Sequence, residues 1–268
     1  MTPPGNRSGW RRLDGVDWSM AIFVVLVCVA ASGIRGSGRD LNYWAKFIAF
    51  AGRFFPPDWS VLPDVGWAML ETARIALVAT AVAAVASLPL ALAASRTVSP
   101  WWVAIPARLA LNAVRSIPSL VWAVLAVAIT GPNSLAGCIA LSGYSAGYLA
   151  KFFSESIDAA DQWPSRSLRA MGANAIQAFR WGTWPQLRTQ LASHGLWMLE
   201  YNLRSAAIVG YVGAGGVGLL LQTYQEYGNW DRFGVVLLTI LGLVTLIDWA
   251  GQRVRRLWNP GQQVPADG

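Results

Sequence analysis

The sequence predicts an all-α membrane protein, a polytopic bundle of about six transmembrane helices. Hydrophobic residues make up 54% of the 268 residues, charged residues only 13%, and the mean hydropathy is +0.40. Soluble domains carry about 25% charged residues. The apolar residues also come in long blocks, each close to the roughly 20 residues that cross a bilayer as a helix. Both observations indicate a chain whose solvent is lipid.

The first apolar block runs from Trp18 to Ile34 and follows a polar start that contains Arg11 and Arg12. It is long enough to span a membrane. A cleaved signal peptide is the alternative, because a basic tail, a short apolar core and small residues near Ala30 fit that reading as well. The tail is long for a signal peptide, which favours a retained span.

Residues 42–55 follow a different pattern. Tyr43, Trp44 and Phe47 fall on one helical face, whereas Lys46 and Arg53 fall on the other. This amphipathic pattern with many aromatic residues predicts a helix that lies on the membrane surface. A solvent-exposed loop helix is the alternative.

Five further spans are predicted, at residues 65–94, 101–130, 135–153, 191–211 and 233–252. Pro89, Pro106 and Pro118 are expected to interrupt them. Membrane helices tolerate such breaks where neighbouring helices or a water-filled cavity satisfy the freed backbone groups. The prolines therefore indicate a pathway rather than a passive anchor.

These segments divide the chain into three regions. Residues 1–64 hold a tail, the first span and the interfacial segment, residues 65–258 hold the bundle with a polar loop at 154–188, and residues 259–268 form a polar tail. Arginines at both ends, in the loop and at Arg96 would all face one side. The positive-inside rule predicts that this side, with both termini, is cytoplasmic. The outer side receives fewer basic residues, partly balanced by aspartates: Arg35, Arg39, Lys46, Arg53 and Arg232 against Asp40, Asp58, Asp64 and Asp231.

The sequence gives little indication of a metal site, of a catalytic nucleophile or of nucleic-acid binding. Cys28 and Cys138 lie inside apolar runs, and His194 has no Cys, His or carboxylate at ligand spacing. We therefore predict neither a metal site nor catalytic residues, which disfavours a membrane enzyme. The net charge of +7 follows from arginines beside the apolar blocks and needs no nucleic acid.

Two arginines at membrane depth are candidate pathway residues. Arg115 has no acidic residue within helical reach and lies beside Asn112 and Ser116. A guanidinium matches phosphate-type oxygens through paired hydrogen bonds, and amide and hydroxyl groups complete such a site. Snorkelling to the cytoplasmic boundary, or contact with a neighbouring helix, are the alternatives for Arg115.

The second candidate, Arg204, follows Asn202 and precedes Ser205. Its spacing from Glu200 would also allow an ion pair along one helix, and Glu71 with Arg74 repeats that possibility. The glycine run at Gly213, Gly215, Gly216 and Gly218 is predicted to break the fifth span. It does not indicate a dinucleotide site, because no βαβ unit surrounds it.

The polar loop carries the most specific motif, RSLRAMGANAIQAFRWGTWPQL at residues 166–187. It resembles the cytoplasmic loop by which permeases of ABC importers dock onto their ATPase. Ala170, Gly172, Ala173 and Pro185 hold the motif's spacing, and Arg166 stands where the family has a glutamate. The resemblance implies that these residues couple the chain to an ATPase. An amphipathic linker is the alternative reading.

Flanking segments narrow the resemblance. FFPPDWSVLPDVGWAMLETARIALVATAVAAVASLPLALAASR, NAVRSIPS and EYNLRSAAIVGYVGAGGVG are similar to phosphonate and phosphite permeases. This implies a type I, methionine-permease-like fold in a bacterial inner membrane. The chain would import a phosphonate, phosphite or phosphate. An amino acid such as methionine, or a quaternary amine, is the alternative solute.

The resemblance also implies the partners: a second permease chain, identical or paralogous, two ATP-binding cassette subunits and an external solute-binding protein. No Gly-x-x-x-x-Gly-Lys loop occurs in the sequence. ATP and Mg would therefore be bound by the partner ATPase, and no cofactor is predicted in this chain. Arg115, Ser116, Arg204 and Ser205 from two chains are predicted to form an electropositive constriction.

Overall fold

The computed structural model describes residues 15–34 and 42–258, and all regular structure in these ranges is helical. The chain divides into two compact units, Met1–Phe50 and Ala51–Gly268. Some sequence expectations lie outside the described residues: those on Arg11, Arg12, Arg35, Arg39, Asp40 and the tail at 259–268.

The first unit contains helix α1 at Gly15–Ser32 and most of helix α2, which spans Tyr43–Gly52. The bounds of α1 agree with the predicted first apolar span to within three residues. Helix α2 confirms a helix within residues 42–55 but ends at Gly52, three residues before the predicted segment does. Its position on a membrane surface stays a prediction.

The second unit begins with a short 3₁₀ turn at Trp59–Val61. Its α-helices are α3 (Leu62–Ala94), α4 (Trp101–Ser116), α5 (Ser119–Thr130), α6 (Ser134–Ala159), α7 (Trp163–Ala170), α8 (Ala175–Ala178), α9 (Trp184–Val209), α10 (Val217–Glu226) and α11 (Trp230–Trp258). Turns of π-helix at Phe179–Thr183 and Gly210–Ala214 join α8 to α9 and extend α9.

The helices match the number of spans that the sequence predicts. Trp59–Ala94 and Trp230–Arg256 are long and apolar enough to cross a membrane, and two bent pairs pass the same test. The pair α4 and α5 bends by 85°, and the long segment through α9 bends by 55° where α10 begins. With α1 and the 26-residue α6, the helix count fits about six spans.

The prediction that three prolines interrupt the spans is correct at Pro118 and wrong at Pro89 and Pro106. Helix α3 continues through Pro89 and α4 through Pro106. A proline removes one backbone donor but holds φ near its helical value, so a packed helix can continue through it. At Pro118 the preceding Ile117 is extended, with φ −88° and ψ 121°, as residues before proline prefer.

The core of the second unit is the contact between α3 and α6. Small residues on both helices are fully buried there, such as Ala79, Ala83 and Ala140. A Cβ at Gly137 would lie 2.7 Å from the carbonyl oxygen of Ala214. Membrane helices approach closely through such small residues, because packing rather than water expulsion holds them together.

Asp158 joins three parts of the bundle at the end of α6. Its carboxylate lies 2.5 Å from the guanidinium of Arg108 on α4. It also accepts hydrogen bonds from the hydroxyl of Ser95 at 2.6 Å and from the amide of Thr97 at 3.1 Å. Burial raises the pKa of Asp158, but these hydrogen bonds outweigh burial and leave the pKa below its ordinary value. The carboxylate thus stays ionised at neutral pH and ties the loop between α3 and α4 to α6.

We predict that Asp158→Ala lowers the free energy of unfolding by about 2–3 kcal/mol, because it leaves the Arg108 guanidinium without its counter-charge. Thermal unfolding of the purified chain in detergent measures this. Glu155→Ala removes the exposed pair with Lys151 and should change stability by less than about 1 kcal/mol. Equal stability of both variants would contradict the role of Asp158.

Candidate functional site

Arg115 lies in the last turn of α4 and contacts an aromatic ring on α6. Its guanidinium carbon stands 4.5 Å from the ring centre of Tyr148. The Nε atom is buried and has no hydrogen-bond partner, and no ion pair among the described residues includes Arg115. The sequence left contact with a neighbouring helix open as an alternative, and the structure shows this contact.

Tyr148 belongs to a group that we call the tyrosine cluster, formed by Tyr144, Tyr148 and Tyr201. The rings of Tyr144 and Tyr148 are 4.7 Å apart, and Tyr201 stacks on Tyr144 at 5.4 Å. The hydroxyl of Tyr201 donates to that of Tyr144 at 2.9 Å. Sequence reasoning did not identify this cluster, although Tyr144, Tyr148 and Phe152 recur at four-residue spacing on one face of α6.

Asn202 and Ser205 lie inside the bundle of one chain. The Ser145 hydroxyl donates to the amide oxygen of Asn202 at 2.9 Å, and the Asn202 amide nitrogen donates to the Thr80 hydroxyl at 2.9 Å. Thr80 in turn donates to the Ala76 carbonyl. Asn202 is fully buried, and Ser205 is 5% exposed. Their role in a pathway stays a prediction, while the observed hydrogen bonds join α3, α6 and α9.

Arg204 pairs with Asp248 of α11 at 3.2 Å, and Glu200 pairs with Arg255 at 2.6 Å. The alternative of an ion pair between Glu200 and Arg204, which their spacing allows, is therefore not what the structure shows. Glu200 and Arg204 lie on one face of α9, but α11 runs beside that face and offers a partner to each. Gly251 of α11 makes the pair between Glu200 and Arg255 possible, because a Cβ at position 251 would overlap the Glu200 carboxylate.

The expected pair between Glu71 and Arg74 does not form either. The Glu71 carboxylate accepts a hydrogen bond from the Ser134 hydroxyl at the start of α6. Arg74 is exposed and takes part in none of the ion pairs among the described residues. A side chain on a neighbouring helix again replaces the partner along the helix.

The two candidate arginines are not brought together within one chain. Asn112 and Ser116 are exposed on α4, and the Ser116 hydroxyl donates to the Ala113 carbonyl. Helices α4 and α9 do not touch, and each packs against α6. A constriction that combines Arg115 with Arg204 therefore needs a second chain.

The glycine run breaks the fifth span, as predicted. Gly213, Gly215 and Gly216 have positive φ values of 93°, 82° and 70°, which glycine adopts without strain. The freed amide of Val217 donates to the Thr72 hydroxyl at 2.8 Å. Gly218 lies so close to Ala207 and Gly210 on the preceding helix that a side chain would collide with their backbone.

The polar loop folds into a compact unit that we call the knob, residues 163–185. Helix α7 ends near Gly172, whose φ is +93°. Asn174 then caps α8 in a reciprocal pair with Gln177: the Asn174 side chain accepts from the Gln177 amide at 2.9 Å, and the Gln177 side chain accepts from the Asn174 amide at 3.0 Å. Such a capping box fixes the start of a helix.

Internal contacts hold the two sides of the knob together. The Ser165 hydroxyl donates to the Ala178 carbonyl at 2.9 Å and lies 2.6 Å from the Thr183 hydroxyl. A Cβ at Gly182 would lie 2.7 Å from the Ser165 amide nitrogen. Arg166, Ala170, Gly172 and Pro185 are exposed and Ala173 is half-buried. Large apolar side chains surround them on the surface: Trp163, Met171, Ile176 and Trp181.

Comparison with known proteins agrees with this architecture. Residues 87–258 match the family described as binding-protein-dependent transport system inner membrane component. The phosphite transport system permease protein PtxC of Stutzerimonas stutzeri is 34% identical over 240 residues, which cover 89% of this chain and 86% of PtxC. The putative phosphite transport system permease protein HtxC of the same organism is 32% identical over 78% of this chain and 74% of its own length.

A solved structure shows the same fold. A chain of the MetNI methionine ABC transporter, in an inward-facing conformation, superposes with a TM-score of 0.64 at 24% identity. The match covers 75% of this chain and 99% of that one. The observed helices therefore confirm the predicted type of fold.

We predict that Gly216→Ala destabilises the chain, because Gly216 has φ +70° and a Cβ there would overlap the Thr72 hydroxyl. The expected loss is about 1–3 kcal/mol. Gly195→Ala is the matched control: Gly195 lies inside α9, and nothing stands within 4 Å of an added Cβ. It should leave stability unchanged or raise it by up to about 1 kcal/mol. Thermal unfolding that ranks the two variants the other way would contradict this account of the break.

Proposed function

Because this chain belongs to the family of binding-protein-dependent transport system inner membrane components, we propose that it is the permease that moves a phosphorus oxyanion into the cytoplasm. Phosphite, phosphonate and phosphate are the candidates. The names of its relatives, which include the phosphate-import permease protein PhnE of Mycolicibacterium smegmatis, support this class of substrate. The proposal rests on one observation: the Arg115 guanidinium contacts the Tyr148 ring and forms no ion pair among the described residues.

Arg115 carries a positive charge that no carboxylate of the described chain balances. A charge at membrane depth usually faces a cavity or a partner. The guanidinium carbon lies over the Tyr148 ring, and a cation–π contact uses none of the guanidinium N–H groups as a hydrogen-bond donor to an oxygen. Those donors suit the oxygens of a phosphorus oxyanion, which accept paired hydrogen bonds.

Arg204 would contribute less positive charge to the proposed constriction than Arg115, because a carboxylate neutralises it in part. Its guanidinium is paired with Asp248, although 55% of the side chain remains exposed. Two copies of Arg115 from paired chains would attract an anion strongly, while two copies of Arg204 would do so only as far as Asp248 allows. The electropositive constriction we propose therefore depends mainly on Arg115, with Asn112 and Ser116 beside it.

An aromatic cage for a quaternary amine is the alternative that the tyrosine cluster raises. Such a cage needs open aromatic faces around the cation. The Tyr148 face is already occupied by Arg115, and the Tyr144 ring is covered by Tyr148 and Tyr201. A positive guanidinium at the cluster would also repel a second cation, which favours the oxyanion.

The partners of the proposed importer are those that its family implies. No nucleotide-binding loop occurs in the sequence, so ATP and Mg would bind to two ATPase subunits that dock on the knob. A second permease chain completes the path, and an external binding protein delivers the solute. Basic residues of the knob, such as Arg166 and Arg180, favour its position on the cytoplasmic side, which puts both termini there as well.

We predict that Arg115→Gln reduces uptake of labelled phosphite at least tenfold in vesicles that contain the assembled importer, since the anion loses its paired donors. Arg204→Gln should reduce uptake less. Tyr148→Phe keeps the ring face and should transport nearly normally, whereas Tyr148→Leu removes the contact and should resemble Arg115→Gln.

Competition with phosphonate, phosphate and methionine in the same assay separates the candidate solutes. Assembly with the ATPase and capture of the anion by the binding protein serve as controls and should be unchanged in every variant. Normal uptake in Arg115→Gln would show that the arginine has a structural role and that the path lies elsewhere.

The knob provides a second prediction. Gly172→Trp should separate ATP hydrolysis from uptake, because a bulky residue at φ +93° distorts the exposed turn on which the ATPase would dock. Gly172→Asn is the control, since asparagine tolerates a left-handed backbone. Uptake per ATP hydrolysed, measured in vesicles, should fall at least tenfold for Trp and little for Asn. Normal coupling in Gly172→Trp would overturn the assignment of the knob.

A further inference from the structure

A cavity of about 440 Å³ lies between the knob and the helical bundle. The bundle side is formed by Thr97 and Val98 of the loop between α3 and α4 and by Ile157 of α6. The knob side is formed by Gln162, Arg166 and Arg169. The residues of the proposed constriction do not line this cavity.

 Neither Arg115 nor any residue of the tyrosine cluster lines the cavity.

The cavity wall is positively charged. Arg166 and Arg169 are three residues apart on α7, so they lie on the same face of that helix, and no ion pair among the described residues includes either. On the bundle side of the cavity, the lining residue Ile157 is followed in the sequence by the carboxylate residue Asp158. It is already bound to Arg108 and to the loop at Ser95. The Asp161 carboxylate, beside Gln162, accepts a hydrogen bond from the Trp163 amide. Neither guanidinium at the cavity therefore forms an ion pair within the described chain.

The charged groups at the cavity are donors, and the one uncharged acceptor without a described partner is the amide oxygen of Gln162. The hydroxyls of Ser165 and Thr183 also line it, but they satisfy each other and the Ala178 carbonyl. The Gln162 amide nitrogen uses one hydrogen on the Ala160 carbonyl and keeps a second. Guanidinium and amide N–H groups require an acceptor, which makes an anion the fitting occupant.

The rest of the lining is apolar, with Leu92, Val98 and Phe179 among its residues, except for Thr97, whose hydroxyl donates to Asp158. The cavity also lies at the ends of α3 and α6, where the spans meet the polar loop. Basic pockets between membrane helices on the cytoplasmic side bind lipid head groups. We propose that this cavity binds a phosphate-type anion that carries an apolar substituent, either the head group of an anionic phospholipid or a free organic phosphonate.

An occupant of this site would contact the bundle on one side and the knob on the other. It would restrain the knob against the loop between α3 and α4. Because the knob is the surface proposed to receive the ATPase, binding here would alter coupling, and by linkage ATPase docking would alter the affinity of the anion. The site itself does not depend on which solute the chain transports, so its test is a binding measurement.

The experiment uses the purified full-length chain in a neutral detergent. Thermal unfolding is followed while phenylphosphonate, inorganic phosphate, phosphatidylglycerol or phosphatidylcholine is added. We expect phenylphosphonate or phosphatidylglycerol to raise the unfolding temperature, and phosphatidylcholine to raise it much less. Arg169→Gln should weaken the apparent affinity about tenfold, as expected for loss of one charge-assisted contact.

Two further variants separate binding at the cavity from general charge effects. Arg180→Gln removes the same charge from the knob, but Arg180 does not line the cavity, so the affinity should stay unchanged. Val98→Trp keeps every charge and fills the cavity, so binding should be lost. Stabilisation by phosphatidylglycerol alone identifies a lipid site, and stabilisation by phenylphosphonate alone identifies a site for a soluble anion. If neither stabilises the chain, or if Arg169→Gln and Val98→Trp bind as the unsubstituted chain does, the proposal is wrong.

Discussion

The hydrocarbon of a membrane offers no hydrogen bonds, so every polar group within the spans needs a partner inside the protein. The hydrogen bonds from Ser145 through Asn202 to Thr80 show how the bundle meets this requirement. They join α3, α6 and α9, and they end on a backbone carbonyl at Ala76. Small residues between α3 and α6 allow the close approach that such short side chains need. Helix α3 is thus a common packing partner of α4, α6, α9, α10 and α11.

The same requirement decides where a span can break. At the glycine run, the amide of Val217 would lack a partner if the Thr72 hydroxyl of α3 did not accept its hydrogen bond. The positive φ values of Gly215 and Gly216 bring that amide to α3. At Ile117 and Pro118, proline itself has no N–H group to satisfy. Each break is possible because a neighbour, or the residue type, removes the unsatisfied donor.

Hydropathy and basic residues were enough to predict the spans, and the glycine run was enough to predict the broken helix. The sequence could not show which proline bends its helix, because Pro89, Pro106 and Pro118 share the same local chemistry and differ in their packing. It also led to the wrong partner for Glu200. Four-residue spacing describes one helix, whereas the partners Arg255 and Asp248 come from α11.

The contact of Arg115 with Tyr148 escaped prediction for a related reason, since the two residues lie on different helices. The candidate site could therefore be predicted as a set of residues but not as a geometry. The turn of the knob was easier to predict, because Gly172, whose φ is positive, belongs to a short motif within the sequence. The coupling role of the motif stays a prediction. Local chemistry is visible in the sequence, and contacts between helices are not.

The arginines of the bundle differ in which groups they can still bind. Arg204 and Arg255 have carboxylate partners on facing helices, so the proposed oxyanion would have to compete with those carboxylates. Arg115 has a ring beneath its guanidinium and a buried Nε without an acceptor. A buried donor without a partner costs about 1–3 kcal/mol. If the chain transports an oxyanion as proposed, the other N–H groups of Arg115 are its donors, and the contact with Tyr148 stabilises the charge while the site is empty. The gain on binding then stays moderate, which lets the anion also leave.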